Sequence, residues 1–265
     1  INTTYSKKIF IPLPFWFTKT SGMYLPLCAI NNHSIELEFE FEEAYKLNGD
    51  SSNITDLKIN KMELYGEFVH LGEKEKMRFT QTNHEYVIEQ HQLNQNSFLN
   101  TSSVISEINT ELVKRRYNLE LNHPIKYISW AIVNEGSVSE LSSSNMGQGP
   151  CYFVSMCSNS IYGNDGNDGA VRILFNGEDK EAELPMAYYT RLFPKNYLNN
   201  IPKLDRIGMY SFALNPMSIE PSGTCNFSKL QNAALDLTFA NNIIETIKGK
   251  KLYIFAVNYN LLIIT

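Results

Sequence analysis

Seven residues, Ile35 to Phe41, alternate without a break: Ile35, Leu37, Phe39 and Phe41 are apolar, and Glu36, Glu38 and Glu40 are acidic. A period of two puts the apolar side chains on one face of an extended strand and the carboxylates on the other. Half-buried strands are therefore expected. The other apolar stretches agree. KYISWAIVN (126–134) is a continuous run suited to a strand buried on both faces, and LKINKMELYGEFVHL, AVRILFNG and KKLYIFAVNYNLLIIT are further strand candidates. In KKIFIPLPFWF and MYLPLCAI, Pro12, Pro14 and Pro26 withhold amide donors, which predicts edge or bulged strands and excludes helix.

Helical pattern is scarce. MAYYTRLFPKNYL reads as a short amphipathic helix ended by Pro194, and EKMRFTQTNHEYVIEQHQ as a strand entering one turn of helix. After Asp50 about eight strands are expected, joined by long loops rather than tight two-residue hairpins, which favours a Greek-key sandwich or jelly roll. The polar, turn-rich stretch LNGDSSNITD suggests a connection between two units, and the longest loop region runs from Glu135 to Gly169.

Composition narrows the partners. Of 265 residues, 43% are apolar and 19% charged, enough for a real core. The formal charge of −5 and the absence of a basic run beyond Lys114–Arg116 argue against direct nucleic-acid binding. Four cysteines, of which only Cys151 and Cys157 are close in sequence, do not make a disulfide framework and are expected as thiols. No apolar run is long enough to span a bilayer, and INTTYSKK lacks the layout of a signal peptide.

No constellation carries chemistry. Among His33, His70, His84, His91 and His123, His84 and His91 are seven positions apart, too far to share a helix face, and the two-histidine strand of a cupin is missing. GNDGNDG offers Asp165 and Asp168 to calcium but lacks the register of an EF-hand loop, so it reads as a glycine-rich turn. The row Glu36, Glu38, Glu40 and Glu42 reads as a solvated face or a charged subunit contact rather than paired catalytic carboxylates. Neither a Gly-x-Ser-x-Gly elbow nor a phosphate loop is present. The sequons at Asn2, Asn32, Asn53, Asn100 and Asn226 read first as chance matches in an Asn-rich chain, with surface glycans as the alternative.

Between Tyr210 and Phe239, Pro216, Pro221, Ser222, Gly223 and Thr224 crowd the space between two strands. Gly223 permits a positive φ and Ser222 and Thr224 can bond their own backbone, so the segment is expected to be a corner. Leu235, Leu237 and Phe239 then resume period two, as a chain crossing from one sheet of a sandwich to the other would require.

Several stretches, in order, carry a resemblance: IPLPFWFTKTSGMYLPLCAI, RFTQTNHEYVIEQHQ, LNHPIKYISWAI, and YSFALNPMSIEPSGTCNFSKLQNAALDLTF with LYIFAVNYNLLII. Together they resemble the major capsid proteins of nucleocytoplasmic large DNA viruses, PSGTCNFS being the most specific. The resemblance implies an all-β double jelly roll that forms a homotrimer, a pseudo-hexagonal capsomer of an icosahedral shell. It implies residues 1–47 as the C-terminal strands of the first jelly roll, 48–58 as linker and 59–265 as the second jelly roll. Most of the first sandwich and a short tail are missing by comparison, so a portion of a longer chain is expected. The implied partners are neighbouring capsomers, minor capsid proteins and an internal viral membrane, with Gly136–Asp168 toward the exterior. The implied setting is the virion, assembled in the host cytoplasm, with no enzyme activity, cofactor, catalytic residue or metal. A glycan-binding jelly roll, suggested by the aromatic AYYTRLF, and a cupin-type enzyme are the competing expectations.

Overall fold

The computed structural model describes residues 8–30, 33–41, 59–97, 112–135, 151–154, 169–198, 206–240 and 250–265. Ten strands lie among them: β1 (His84–Ser97), β2 (Leu112–Asn118), β3 (Pro124–Glu135), β4 (Cys151–Val154), β5 (Ala170–Phe175), β6 (Glu178–Pro185), β7 (Ile207–Ser211), β8 (Cys225–Asn226), β9 (Ala233–Ala240) and β10 (Lys251–Ile264). Sheet A runs β1-β10-β3-β4, with β7 and β8 also bonded to β3, and sheet B runs β2-β9-β5-β6. Side chains from both sheets share one buried cluster that includes Trp130, Ile132 and Ile254 of sheet A and Ile173, Leu235 and Leu237 of sheet B. The sheets therefore face each other, and later strands return beside earlier ones in each. This is a jelly-roll sandwich.

Strand β3 organises sheet A. Residues 125–133 pair antiparallel with β10 along one edge. The other edge is filled in succession by β8 at Pro124 and Ile125, β7 at 127–131 and β4 at 132–135. Its apolar sequence fits that central place: Ile128, Trp130 and Ile132 are fully buried on the core face, and Ala131 is buried on the other. Gly208 of β7 pairs with Trp130, and the indole lies where a side chain at 208 would be. In sheet B, Leu235, Leu237 and Phe239 of β9 alternate into the core as expected.

Two local expectations are corrected. Asn176 and Gly177 make a tight two-residue hairpin between β5 and β6, with φ of 53° and 87°. Positive φ at both positions matches the right-handed strand twist, which is why Asn-Gly suits this turn. The stretch 186–198 is helical, but Pro194 does not end it; α2 (Phe193–Leu198) contains that proline. The turn before it, Tyr188–Leu192, is widened to a π form in which Phe193 N–H bonds the Tyr188 carbonyl, so the ring is accommodated at a helix start.

The chain divides into two compact units. The larger, Leu37–Glu67 with His91–Tyr259, holds the shared core. The smaller comprises Ile1–Glu36, Phe68–Gln90 and Asn260–Thr265. Its described part has single 3-10 turns at Trp16–Thr18, Ser21–Met23 and Leu27–Ala29, and helix α1 (Glu73–Gln81) ahead of β1. The order is helix then strand, the reverse of the expectation. EKEKMRF holds strong helix formers, and Gly72 N–H is capped by the Glu75 carboxylate at 3.2 Å. Trp16 and Tyr86 meet with ring centroids 5.4 Å apart, and Lys19 pairs with Glu89.

Ile35–Phe41 and Ile59–Leu71 form no ladder among the described residues, and their large apolar side chains are exposed. Alternation prepares a face, but a strand also needs a neighbour to bond its backbone. The proline-rich segment 8–30 likewise has 3-10 turns in place of edge strands, since each proline removes a ladder donor.

Candidate assembly surfaces

The corner after β7 is tied to a bulge in β3. Val257 pairs with Tyr127 and Asn258 with Ile125, leaving Lys126 as the extra residue. The carbonyl of Lys126 accepts from both Phe212 N–H and Ala213 N–H, at 3.0 and 3.2 Å. Its side chain is almost wholly buried, lies over the Tyr259 ring with Nζ 5.3 Å from the centroid, and donates to the Ser218 carbonyl at 2.7 Å. A buried ammonium is tolerable only with such partners. Replacing Lys126 with Met should leave the Ser218 carbonyl unsatisfied and cost about 1 kcal/mol. Limited proteolysis read by mass spectrometry should then show earlier cutting between Leu214 and Thr224.

Within the corner, Leu214 N–H bonds the Ser222 carbonyl at 3.3 Å, Asn215 N–H bonds Ser222 Oγ at 2.9 Å, and Ser218 N–H bonds the Asn215 carbonyl at 3.1 Å. Gly223 has φ +139°, and a Cβ there would lie 2.7 Å from the Phe212 carbonyl oxygen. The corner reading holds, but the change of sheet comes later than expected. After the corner β8 rejoins β3 in sheet A, and the chain crosses to sheet B through the 3-10 turn Phe227–Lys229 before β9. The crossing is braced by Asn176, whose Oδ1 accepts from Gln231 and Asn232 N–H at 3.0 and 3.1 Å. A second polar brace is Gln92, whose amide donates to the Asn122 carbonyl and Asn258 Oδ1 and accepts from Asn122 N–H at 3.0 Å. Gln92→Leu should remove these three bonds and cost about 1 kcal/mol, measured by urea denaturation.

The outer faces of the two sheets differ in kind. On sheet B, Arg116 of β2 and Arg172 of β5 both pair in register with Asp236 of β9. Arg116 grips Asp236 in a bidentate pair at 2.7 and 2.9 Å, Arg172 grips Asp179 at 2.5 and 2.7 Å, and Lys114 meets Glu183 at 3.1 Å. Hydrogen bonds from Arg172 hold the Asp179 carboxyl below the usual carboxylate range. With the folded pKa depressed, that pair's contribution is present above the ordinary carboxylate pKa and fades as pH falls through the lowered value. On sheet A two outward rows, Ile207–Ala131–Tyr253 and Met209–Ser129–Phe255, carry no charge, and the next row pairs Lys251 with Val133. Ile207 and Phe255 are 40% and 41% exposed, and Tyr253 stacks on Phe255 with centroids 6.1 Å apart. One face is a paired ionic lattice, the other mainly apolar and suited to contact.

The aromatic stretch behind the lectin expectation turns inward. Tyr189 and Phe193 are buried and form ring contacts with Trp130 and Tyr210, and Tyr188 packs half-buried against the same cluster, so the rings of AYYTRLF serve the core while Arg191 and Leu192 face outward. Burial, with the nearby Glu181 carboxylate, pushes the Tyr210 hydroxyl pKa up, and this hydroxyl donates to Glu181 at 3.2 Å. Of the sequons, Asn2, Asn32, Asn53 and Asn100 lie outside the described residues. Asn226 is half-buried on β8, and its Oδ1 accepts from Ser228 N–H at 3.1 Å. Asp165 and Asp168 also lie outside the described residues, but Gly169 is buried against β9, where a Cβ would lie 2.1 Å from the Thr238 carbonyl oxygen. Among the described residues no three His, Cys, Asp or Glu side chains gather as a metal site, and no helix is long and apolar enough to cross a membrane.

Comparison with known proteins bears on the whole chain. The family described as large eukaryotic DNA virus major capsid protein matches residues 75–265, and that described as major capsid protein N-terminus matches residues 2–72. The major capsid protein of Paramecium bursaria Chlorella virus 1 is 30% identical over 88% of this chain and 55% of its own length. That of Pyramimonas orientalis virus is 29% identical over 98% of this chain and 60% of its own. The chain thus spans somewhat more than half the length of these curated relatives. Among solved structures, PBCV-1 VP54, fitted into a reconstruction of the virophage Sputnik, aligns with a TM-score of 0.55 at 26% identity, covering 74% of this chain and 52% of that one. A quasi-atomic model of the PBCV-1 capsid aligns with a TM-score of 0.54 at 28% identity, over the same shares of the two chains. With both family regions in sequence and the sandwich in common, this chain belongs to the large eukaryotic DNA virus major capsid protein family.

Proposed function

We propose that this chain is part of a capsid subunit that trimerises into pseudo-hexagonal capsomers, which tile an icosahedral shell. The carrying observation is the jelly-roll sandwich at residues 84–264, within a chain that matches both regions of the capsid family in order. Residues 1–47 belong to the C-terminal part of the first jelly roll, 48–58 to a linker and 59–265 to the second. On this reading assembly is driven by buried interface rather than bond-making chemistry, and the apolar rows Ile207–Ala131–Tyr253 and Met209–Ser129–Phe255 of sheet A suit such burial. Gly136–Asp168 point to the virion exterior, and the opposite end meets minor capsid proteins and an internal membrane. Particles assemble in the host cytoplasm.

Light scattering on the full-length protein tests this reading. A trimer that forms hexagonal arrays under the microscope is the expected result, and a stable monomer at high concentration without arrays would overturn it. Surface glycans at Asn2, Asn32, Asn53, Asn100 and Asn226 are a separate proposal. Glycopeptide mass spectrometry on protein from purified particles should show hexose-bearing forms at these positions, and unmodified peptides at all five would end it.

A further inference from the structure

Strand β6 is irregular, and its irregularity singles out one residue. Val171 of β5 pairs with Leu184, Ile173 with Glu181 and Leu174 with Asp179, so β6 carries an extra residue on each side of Glu181. Without those two bulges Asp179, Glu181 and Glu183 would share one face by period two. With them, Asp179 and Glu183 meet Arg172 and Lys114 on the outer face, whereas Glu181 stands opposite the buried Ile173 and accepts from the Tyr210 hydroxyl of sheet A at 3.2 Å. Bulges that re-aim a side chain are a recurrent device of functional sites. We propose that Glu181, with the phenols of Tyr188 and Tyr189, binds an organic cation, the ammonium or guanidinium group of an alkyl chain.

The site lies along one side of the sandwich, where the sheets meet. β6 is the edge strand of sheet B, β7 brings Tyr210 from sheet A, and the helical turn Tyr188–Leu192 touches both. Glu181 is half-buried, and among the described residues no lysine, arginine or histidine pairs with it. A carboxylate drawn partly out of water beside a neutral donor is short of counter-charge. Burial first, and then the Glu181 charge, pushes the Tyr188 and Tyr189 hydroxyl pKa values up, so both phenols stand within the field of this carboxylate. The Tyr189 hydroxyl is buried and has no hydrogen-bond partner among the described residues, which leaves its oxygen able to accept. An ammonium has three donors and a guanidinium five, enough for the carboxylate and both phenols, and the surrounding rings attract a cation further. Glu181 would repel an anion, and a neutral alcohol would leave its charge unopposed.

Ligand-observed NMR titration of the full-length protein tests the site with n-butylammonium and ethylguanidinium, against 1-butanol and butyrate. Saturable binding of both cations and of neither control is expected. Glu181→Gln should weaken it at least about ten-fold, as loss of a charge-assisted bond does, and Tyr189→Phe, which keeps the ring, about five-fold. Should Glu181→Gln not fold, carbodiimide labelling of the unaltered protein, mapped by mass spectrometry, gives the answer: ethylguanidinium should slow modification of Glu181 and leave the exposed Glu178 unchanged. Absence of saturable binding, equal binding of 1-butanol, binding indifferent to both substitutions, or Glu181 labelling that ethylguanidinium does not slow overturns the proposal. The same labelling identifies the source of the cation. Protection of Glu181 in intact particles but not in dissociated protein marks a side chain of a neighbouring chain, and equal labelling in both marks a free molecule. Only that comparison draws on the capsid-subunit reading, so failure of that reading leaves the binding result standing.

Discussion

Gly208→Ala should lower the melting temperature by roughly 10 °C and reduce the yield of soluble protein. The added methyl carbon would lie 2.3 Å from Trp130 Cε2, 2.4 Å from Nε1 and 2.6 Å from Cζ2. Relief would require the indole to move, but Trp130 is fully buried, and its ring packs against Tyr189 with centroids 5.7 Å apart. Its strand is held by β10 on one side and β7 on the other. Overpacking at so constrained a place should cost about 3 kcal/mol. The cause is separable by a double-mutant cycle: after Trp130→Leu the same Gly208→Ala change should be far less costly, because the colliding atoms are gone. Equal costs in both backgrounds would show that the glycine matters for another reason.

Gly223→Val should cost about 3 kcal/mol, through a strained backbone and a steric collision. At φ +139° a β-branched residue is badly placed, and its Cβ would meet the Phe212 carbonyl oxygen at 2.7 Å. Phe212 cannot easily withdraw, because its own amide is bonded to the Lys126 carbonyl. Ser222→Ala is the informative companion. It removes the hydroxyl that accepts from Asn215 N–H but leaves the backbone free, so its cost should be only about 1 kcal/mol. Chemical denaturation of both variants measures the difference, and normal stability of the valine variant would remove the corner's dependence on glycine.

What could be read from sequence was what local pattern determines. KYISWAIVN announced β3 by its apolar run, and Leu235, Leu237 and Phe239 announced β9 by their period. The jelly-roll class followed from such strands and from the resemblance. Asn176-Gly177 was a legible hairpin signal, lost in the general expectation of long loops. Lys126 was of another kind. A lysine at the head of an apolar run looks like a solvated strand end, and its burial is set by a bulge in pairing with the distant β10. Gly208 likewise became significant only through its register with Trp130. The acidic alternation at Ile35–Phe41 shows the converse limit, since period two marks a face but names no neighbour to pair with.

The succession of partners along β3 also bears on how the molecule comes together in time. Trp130 pairs with Gly208 and Ile254, and Tyr117 with Leu235, so most of the pairing joins residues far apart in the chain. Among the described residues only the β5–β6 hairpin is closed by a short local turn. High contact order of this sort slows folding, because a long loop must be ordered before its pairing stabilises anything. Until β10 is synthesised, the long edge of β3 is an open template for strands of other chains. Closure of the sandwich is therefore a late event, and protection from mispairing during synthesis is as much a requirement of this architecture as the interfaces of the finished subunit.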